Sequence, residues 1–257
     1  MRAVCFDAVV LDQLAIDTNI RLLTALWPDG SHAPHAGQFY TLRAWGHDEA
    51  PLLSRPISVH KWTPQTHELQ FLYQVKGVGT EKLAALKTGG RVQLTGPMGN
   101  GFDAPALAKA CPRLLVAGGG IGTAPLYQLV RELAAAGNAP DVAFGFTDAP
   151  YCMDEYRGLA KSVKVATDSG IAGVKGFVTS LYDPKDYDCI LLCGPAPMMR
   201  AAAAAAKAAG TKCLVSMEGK MACGIGACLG CTCKTTKGEA ASICKNGPVF
   251  DAEEVFG

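Results

Sequence analysis

The sequence predicts a multidomain β plus α/β protein: an N-terminal β-sandwich or antiparallel β-barrel, then a parallel α/β domain, then a small C-terminal module held by something other than a core. Three changes of texture along the 257 residues carry this. Up to about residue 103, short β-rich runs alternate with turn signals. From about 110 to 212, strands alternate with helices. After KCLVSM, residues 217–257 are rich in Gly and Cys and show little periodicity.

In the first part the runs are AVVLDQLAI, IRLLTALW, GQFYTLRAW, RPISVHKW, LQFLYQV and RVQLTG. Short strands at such spacing read as a sandwich or barrel. One segment, TEKLAALKTG, reads as a helix, with Thr80 as its N-cap and Gly89 as its stop. In the second part RLLVAGGG, DVAFGFT, VKVATD and YDCILLCGP read as strands, while TAPLYQLVRELAAAG and MMRAAAAAAKAAG read as helices. Repeated βα units imply a parallel sheet with crossover helices. The last part is too short to build a good core, so it needs a staple such as a metal. The domain limits follow as 1–105, 106–212 and 213–257.

Composition excludes several classes. The formal net charge is +1, with Lys and Arg scattered, so nothing attracts nucleic acid or an anionic membrane by bulk electrostatics. Asp7, Asp12 and Asp17 interrupt the apolar N-terminal stretch, and no run approaches the roughly 18 apolar residues of a spanning helix. The expected location is the cytoplasm. There, eleven cysteines are reduced thiols or metal ligands rather than disulfides.

The stretch CGIGACLGC at 223–231 places Cys223, Cys228 and Cys231 at the C-x4-C-x2-C spacing of plant-type [2Fe–2S] ferredoxins, with Cys244 as a fourth thiol. Gly224, Gly226 and Gly230 allow close backbone approach and positive φ around an anionic cluster. Structural zinc, which joins two short knuckles, and free thiols are the alternatives. Cys233 is expected to be a nearby non-ligand. Cys5, Cys111, Cys152, Cys189 and Cys213 lie in or beside apolar runs and are expected in the core.

Two other stretches carry phosphate-type chemistry. Arg55-Pro56-Ile57-Ser58 opens a strand, Leu72-Tyr73-Gln74 lies in another, and Gly77-Val78-Gly79-Thr80 leads into a helix. An arginine grips a pyrophosphate bidentately, and glycines before a helix present free N–H groups. An ordinary strand start and turn would look the same. The second stretch, Gly118-Gly119-Gly120-Ile121-Gly122-Thr123, follows a buried strand. It departs from G-x-G-x-x-G because Thr123 holds the third glycine position. A tight turn without ligand is the alternative. Cys193-Gly194-Pro195 follows another apolar strand. Asp148, after DVAFGFT, could bond a ribose 2′-hydroxyl, while Arg157 keeps a 2′-phosphate in play; a surface turn explains Asp148 equally. No acid–base pair stands out, and the histidines His32, His35, His47, His60 and His67 read as surface or satisfied polar residues.

The order of these motifs, over essentially the whole chain, resembles the ferredoxin–NADP reductase superfamily, and more closely the electron-transfer subunits of two-subunit, NAD-dependent dihydroorotate dehydrogenases. The resemblance implies an FAD-binding barrel with Arg55, Pro56, Ile57, Ser58, Leu72, Tyr73 and Gln74 lining FAD and Gly79 and Thr80 at its pyrophosphate. It implies a Rossmann-like domain whose residues 118–123 and 193–195 approach NAD, and a C-terminal [2Fe–2S] module ligated by Cys223, Cys228, Cys231 and Cys244. Electrons taken from dihydroorotate by a partner subunit carrying FMN would then pass through the cluster and FAD to NAD+, within a heterotetramer serving pyrimidine synthesis. A subunit of another complex (a transhydrogenase, a sulfide dehydrogenase or a hydrogenase diaphorase) is the rival, and transhydrogenase relatives typically carry Asp where this chain has Cys223. A zinc-stapled module without other cofactors is the rival from a different class.

Overall fold

The computed structural model describes residues 3–28 and 32–257. In its first strand, β1 (Val4–Ala15), Phe6, Ala8 and Val10 turn inward while Cys5 and Asp7 face out. That two-residue period is what one buried sheet face requires. It continues through β2 (Ile20–Leu26), β3 (Phe39–Arg43), β4 (Arg55–Ser58), β5 (Lys61–Thr63), β6 (Glu68–Gln74) and β7 (Arg91–Met98). These pair antiparallel in the order β4-β3-β7-β1-β2-β6-β5. The predicted run RPISVHKW is thus two strands on opposite edges of one sheet. Val59 and His60 carry the chain between the edges, their amides bonding Gln38 O and Gln70 O. The sheet curls into a half-barrel around Leu23, Tyr40, Leu42, Phe71 and Leu94.

The helix over TEKLAALKTG begins earlier than expected. Helix α1 spans Val78–Ala84 and Gly77, at φ 114°, precedes it. Thr80 is therefore inside the first turn and not the N-cap. Its Oγ donates to Gly77 O at 2.9 Å and accepts from the Lys76 amide at 2.7 Å.

After α2 (Ala104–Ala110), a second sheet has the order β11-β10-β9-β8-β12-β13-β16. Its strands are β8 (Leu114–Gly119), β9 (Asp141–Phe146), β10 (Ser162–Thr167), β11 (Val174–Lys175), β12 (Cys189–Cys193), β13 (Lys212–Ser216) and β16 (Val249–Asp251). All pairs are parallel except β13 with β16. Helices α3 (Leu126–Ala135) and α4 (Ala196–Ala209) cross over it. Chain order reverses between the neighbours β8 and β12, and ligands of open α/β sheets bind in the crevice beyond the strand ends at such a reversal.

The C-terminal segment contributes a small hairpin, β14 (Thr232–Lys234) with β15 (Ala240–Ser242), and ends in α5 (Ala252–Phe256). β13 and β16 lie in the second, mostly parallel sheet, so the segment between them hangs from that sheet's edge. The expected domain limit at 212 falls inside β13, and that at 105 inside α2. Of the cysteines expected in the core, Cys111, Cys189 and Cys213 are buried, but Cys5 is exposed, on the same strand face as Asp7, and Cys152 is half-buried. Of the two readings of the histidines, surface or satisfied polar, His60 follows the second: it is buried, Nδ1 lies 2.8 Å from Ala124 O and the ring stacks on Tyr127.

Candidate redox site

The half-barrel meets the α/β domain along α3. Gln128 Oε1 accepts from the Trp62 amide at 2.9 Å, Arg131 donates to Trp62 O at 2.7 Å, and Glu132 Oε1 accepts from the Ala36 amide at 3.0 Å. These bonds fix the end of β8 opposite β4 and β6. Between them lies a cavity of about 280 Å³. One wall is Pro56, Ile57, Ser58, Leu72, Tyr73 and Gln74; the second is Ile121, Ala124 and Pro125; the third is Met217, Glu218, Gly219 and Met221. Six residues expected at a flavin are therefore gathered on one wall. Tyr73 is tied by its hydroxyl to Gln13 Nε2 at 2.7 Å, and burial pushes its phenol up to about 12.

Arg55, Gly79 and Thr80 lie beside that wall rather than in the cavity lining. A Cβ on Gly79 would sit 2.5 Å from Arg55 Nε, so the guanidinium rests on the bare glycine backbone. Arg55 also donates to Leu53 O at 2.6 Å and lies over the Trp45 ring. Arginine and glycine, 24 positions apart in sequence, thus share one patch suited to an anionic group.

The turn 118–123 divides its residues. Gly118 is buried, where a Cβ would press on Leu126 and Phe144. Gly119 and Gly120 face a second cavity of about 410 Å³, and Ile121 faces the first. A Cβ on Gly122 would run into the Gly194 backbone, so the turn after β8 and the turn after β12 interlock. Thr123 is buried, its Oγ donating to Gly120 O at 2.9 Å. Residues 120–123 form one 3-10 turn and α3 starts only at Leu126, later than the sequence suggested. Pro195 lines the second cavity, whereas Cys193 is buried beneath it, its thiol raised well above the ordinary range by desolvation and then by Glu218.

Asp148 is exposed and outside this cavity lining, and Arg157 is paired with Asp154 at 3.1 Å. The carboxylate on the cavity wall is Asp168, after β10. The sequence reading missed Asp168, Phe177, Glu218 and Gly219. Position relative to an apolar strand was the available signal for two of them: Asp168 follows VKVAT and Glu218 follows KCLVSM, both at carboxyl ends of strands in this sheet.

In the cysteine loop, four thiols are cradled by backbone donors. Ile225 N and Cys228 N point to Cys223 Sγ at 3.5 and 3.4 Å, and Gly230 N points to Cys228 Sγ at 3.4 Å. Cys244 N points to Cys231 Sγ at 3.4 Å and Gly226 N to Cys244 Sγ at 3.1 Å. The donors hold the Cys223 thiol down to about 6, the Ile225 amide contributing most. Gly224 and Gly226 take positive φ, at 70° and 79°. Gly230 does not; Leu229 before it does, at φ 57°. Side-chain contacts join Cys223 with Cys228 and Cys231 with Cys244. Among the described residues no three His, Cys, Asp or Glu side chains gather closely enough for one metal ion. Two cysteine pairs surrounded by N–H donors fit a binuclear iron–sulfur cluster, whose sulfurs need such bonds. Cys233 lies on β14, near Glu254 and Cys231, and burial raises its thiol.

Comparison with known proteins bears on all three features. Residues 218–256 match the family described as the iron-sulfur cluster binding domain of dihydroorotate dehydrogenase B. A Clostridium acetobutylicum protein named dihydroorotate dehydrogenase B (NAD(+)), electron transfer subunit, is 41% identical over 227 residues, 88% of each chain. The protein of that name from Caldanaerobacter subterraneus subsp. tengcongensis is 38% identical over 254 residues, 97% of each. Among solved structures, that of an NADH-dependent reduced ferredoxin–NADP oxidoreductase superposes with a TM-score of 0.83 at 26% identity, covering 96% of this chain and 89% of that one. A ferredoxin reductase of carbazole 1,9a-dioxygenase shares the fold, with a TM-score of 0.67 at 23% identity over 82% of this chain and 67% of that one. Identity at this level, sustained through barrel, sheet and cysteine loop alike, means that the chain belongs to the family of electron transfer subunits of NAD+-dependent dihydroorotate dehydrogenase B.

Proposed function

We propose that this chain carries electrons for an NAD+-dependent dihydroorotate dehydrogenase, in a cytoplasmic heterotetramer with an FMN-containing catalytic subunit, in the de novo synthesis of UMP. The first cavity takes the flavin of FAD, with Arg55, Gly79 and Thr80 beside its pyrophosphate. The second takes NAD, with Gly119, Gly120 and Pro195 against it. Cys223, Cys228, Cys231 and Cys244 hold a [2Fe–2S] cluster. When bound, the cluster supplies one-electron exchange and FAD supplies the conversion between single electrons and a hydride. The chain's own residues position and insulate. Leu72 packs with Ile20, Leu22 and Ala124 across the domain seam and keeps water from it. The loop amides neutralise thiolate charge.

One observation carries this reading. The first cavity is walled on one side by Ile121, whose neighbours Gly119 and Gly120 face the second cavity, and on another by Met217–Met221, which leads directly to Cys223. The proposed flavin site therefore touches both the proposed nicotinamide site and the cluster segment. The parts expected from the sequence (1–105, 106–212 and 213–257) serve FAD, NAD and the cluster respectively. A second reading, a subunit of a ferredoxin–NADP transhydrogenase, is favoured by the superposition on such an enzyme; the higher identity to dihydroorotate dehydrogenase subunits favours the first.

The test is anaerobic isolation with the co-purifying flavoprotein, followed by an assay of dihydroorotate-dependent NAD+ reduction. Activity needing both chains is expected. In Cys228→Ser it should vanish while NADH-driven ferricyanide reduction persists. A complex loaded with cofactors yet inert toward dihydroorotate would refute the assigned pathway.

A further inference from the structure

The limb of chain that leaves Cys244 runs through Lys245, Asn246 and Gly247 to Pro248, and Pro248 lines the first cavity. It therefore links the fourth cluster thiol to the proposed flavin site. The limb opens on a tight turn, in which Lys245 N and Asn246 N both donate to Ser242 O, at 3.0 and 2.8 Å. Asn100, just past the end of β7, reaches this turn from the half-barrel. Its Nδ2 donates to Lys245 O at 2.9 Å and to Asn246 O at 3.2 Å. Its backbone takes the next two positions, the amide donating to Gly247 O at 2.6 Å and the carbonyl accepting from Val249 N at 3.4 Å. Gly99 lets the chains come this close, since a Cβ there would sit 2.5 Å from Pro248 Cδ, and Gln38 Nε2 holds the Gly99 carbonyl from the other side at 2.8 Å. Met98 packs under the opposite limb of the loop, where a Cβ on Gly224 would run into its sulfur. One end of β7 thus grips the cysteine loop both beside Cys223 and beside Cys244.

Resting on the assignment of the four thiols to a [2Fe–2S] cluster and of the first cavity to FAD, we infer that Asn100 is a positioning residue for electron transfer: its carboxamide fixes the limb between Cys244 and the flavin site. The chemistry asks for this side chain. Both partners are carbonyl oxygens, so both bonds need donors; an amide NH2 supplies two, and a carboxylate of the same shape supplies none. The side chain is exposed, so its two neutral bonds add little to the stability of the whole chain. Their effect is local. Hydrogen bonds behind a metal's ligands hold those ligands in place and tune the metal. Asn100 does this for Cys244 through the residues that follow it, and it does so from the domain that walls the flavin site. The half-barrel and the cysteine loop are thereby held at one spacing.

The experiment compares the loaded wild-type complex with Asn100→Ala, Asn100→Asp and, as a control, Asp103→Ala, which removes only the cap of α2. Three quantities are read: FAD content, NADH-driven ferricyanide reduction, and the reduction of the cluster by NADH, followed by freeze-quench electron paramagnetic resonance. In both Asn100 variants FAD content and ferricyanide reduction should stay within about twofold of wild type. Cluster reduction should slow by about fivefold or more, with an altered resonance line shape. Asp103→Ala should leave the rate and the line shape as they are. Wild-type rate and line shape in both Asn100 variants, or an equal slowing in Asp103→Ala, would overturn the inference while leaving the cluster standing. Loss of FAD from the Asn100 variants along with the cluster signal would overturn it too, by making Asn100 a support of the whole fold. A wild-type complex without any reducible iron–sulfur signal would overturn the cluster assignment itself.

Discussion

At the scale of single residues, the site is governed by where a side chain is missing. Gly122 faces the Gly194 backbone with no room for a methyl group. Gly122→Ala should destabilise the protein by about 1–3 kcal/mol and loosen both turns, read as a lower denaturant midpoint. Gly120 meets nothing within reach of a Cβ, but its φ of 53° is left-handed. Gly120→Ala should cost only about 1–2 kcal/mol, from backbone strain alone. Arg55 acts by presence instead. Its guanidinium rests on Gly79, so Arg55→Ala should lower flavin affinity by roughly tenfold to a hundredfold, measured as FAD retained after desalting. Motif reading reached these glycines and this arginine because their residue types are unusual. It did not reach Asp168, Phe177 or Glu218, which are common residue types made special only by the cavity they face.

Between elements, α3 is the strut that sets half-barrel against sheet. Glu132 on this helix accepts from the Ala36 amide and from Gln128 Nε2 at 2.9 Å, and burial raises its pKa. A carboxyl raised on folding keeps its proton to higher pH in the native state than in the unfolded chain. Stability is therefore lost as pH rises from the unfolded value through the folded one, and the loss is complete above it. Glu132→Gln keeps an acceptor for Ala36 without the charge. It should exceed wild type in denaturant midpoint at about pH 8 and converge with it below about pH 4. A constant difference across that range would deny Glu132 this role. Little of the strut was visible beforehand. TAPLYQLVRELAAAG announced a helix with an apolar face, but a sequence pattern does not say that the polar residues Gln128, Arg131 and Glu132 bond to another domain.

For the whole molecule, the two sheets bring their own cores, while the segment between β13 and β16 does not. Removal of iron should raise hydrogen exchange over residues 218–247 and leave β8, β12 and β13 protected, as seen by mass spectrometry. Equal deprotection of the sheet would show that the cluster supports the entire chain. The sequence alone determined the succession of barrel, α/β domain and cysteine module, and the residue types for each expected cofactor, because strand period, helix period and ligand spacing are local properties. Tertiary structure alone decided that β13 and β16 join the second sheet, that RPISVHKW spans two edges of the first sheet, and that one turn at Gly118–Thr123 serves two cavities. Those depend on which strands pair. Pairing is settled by burial and hydrogen bonding between segments as far apart as Val215 and Phe250, and no local window of sequence contains both partners.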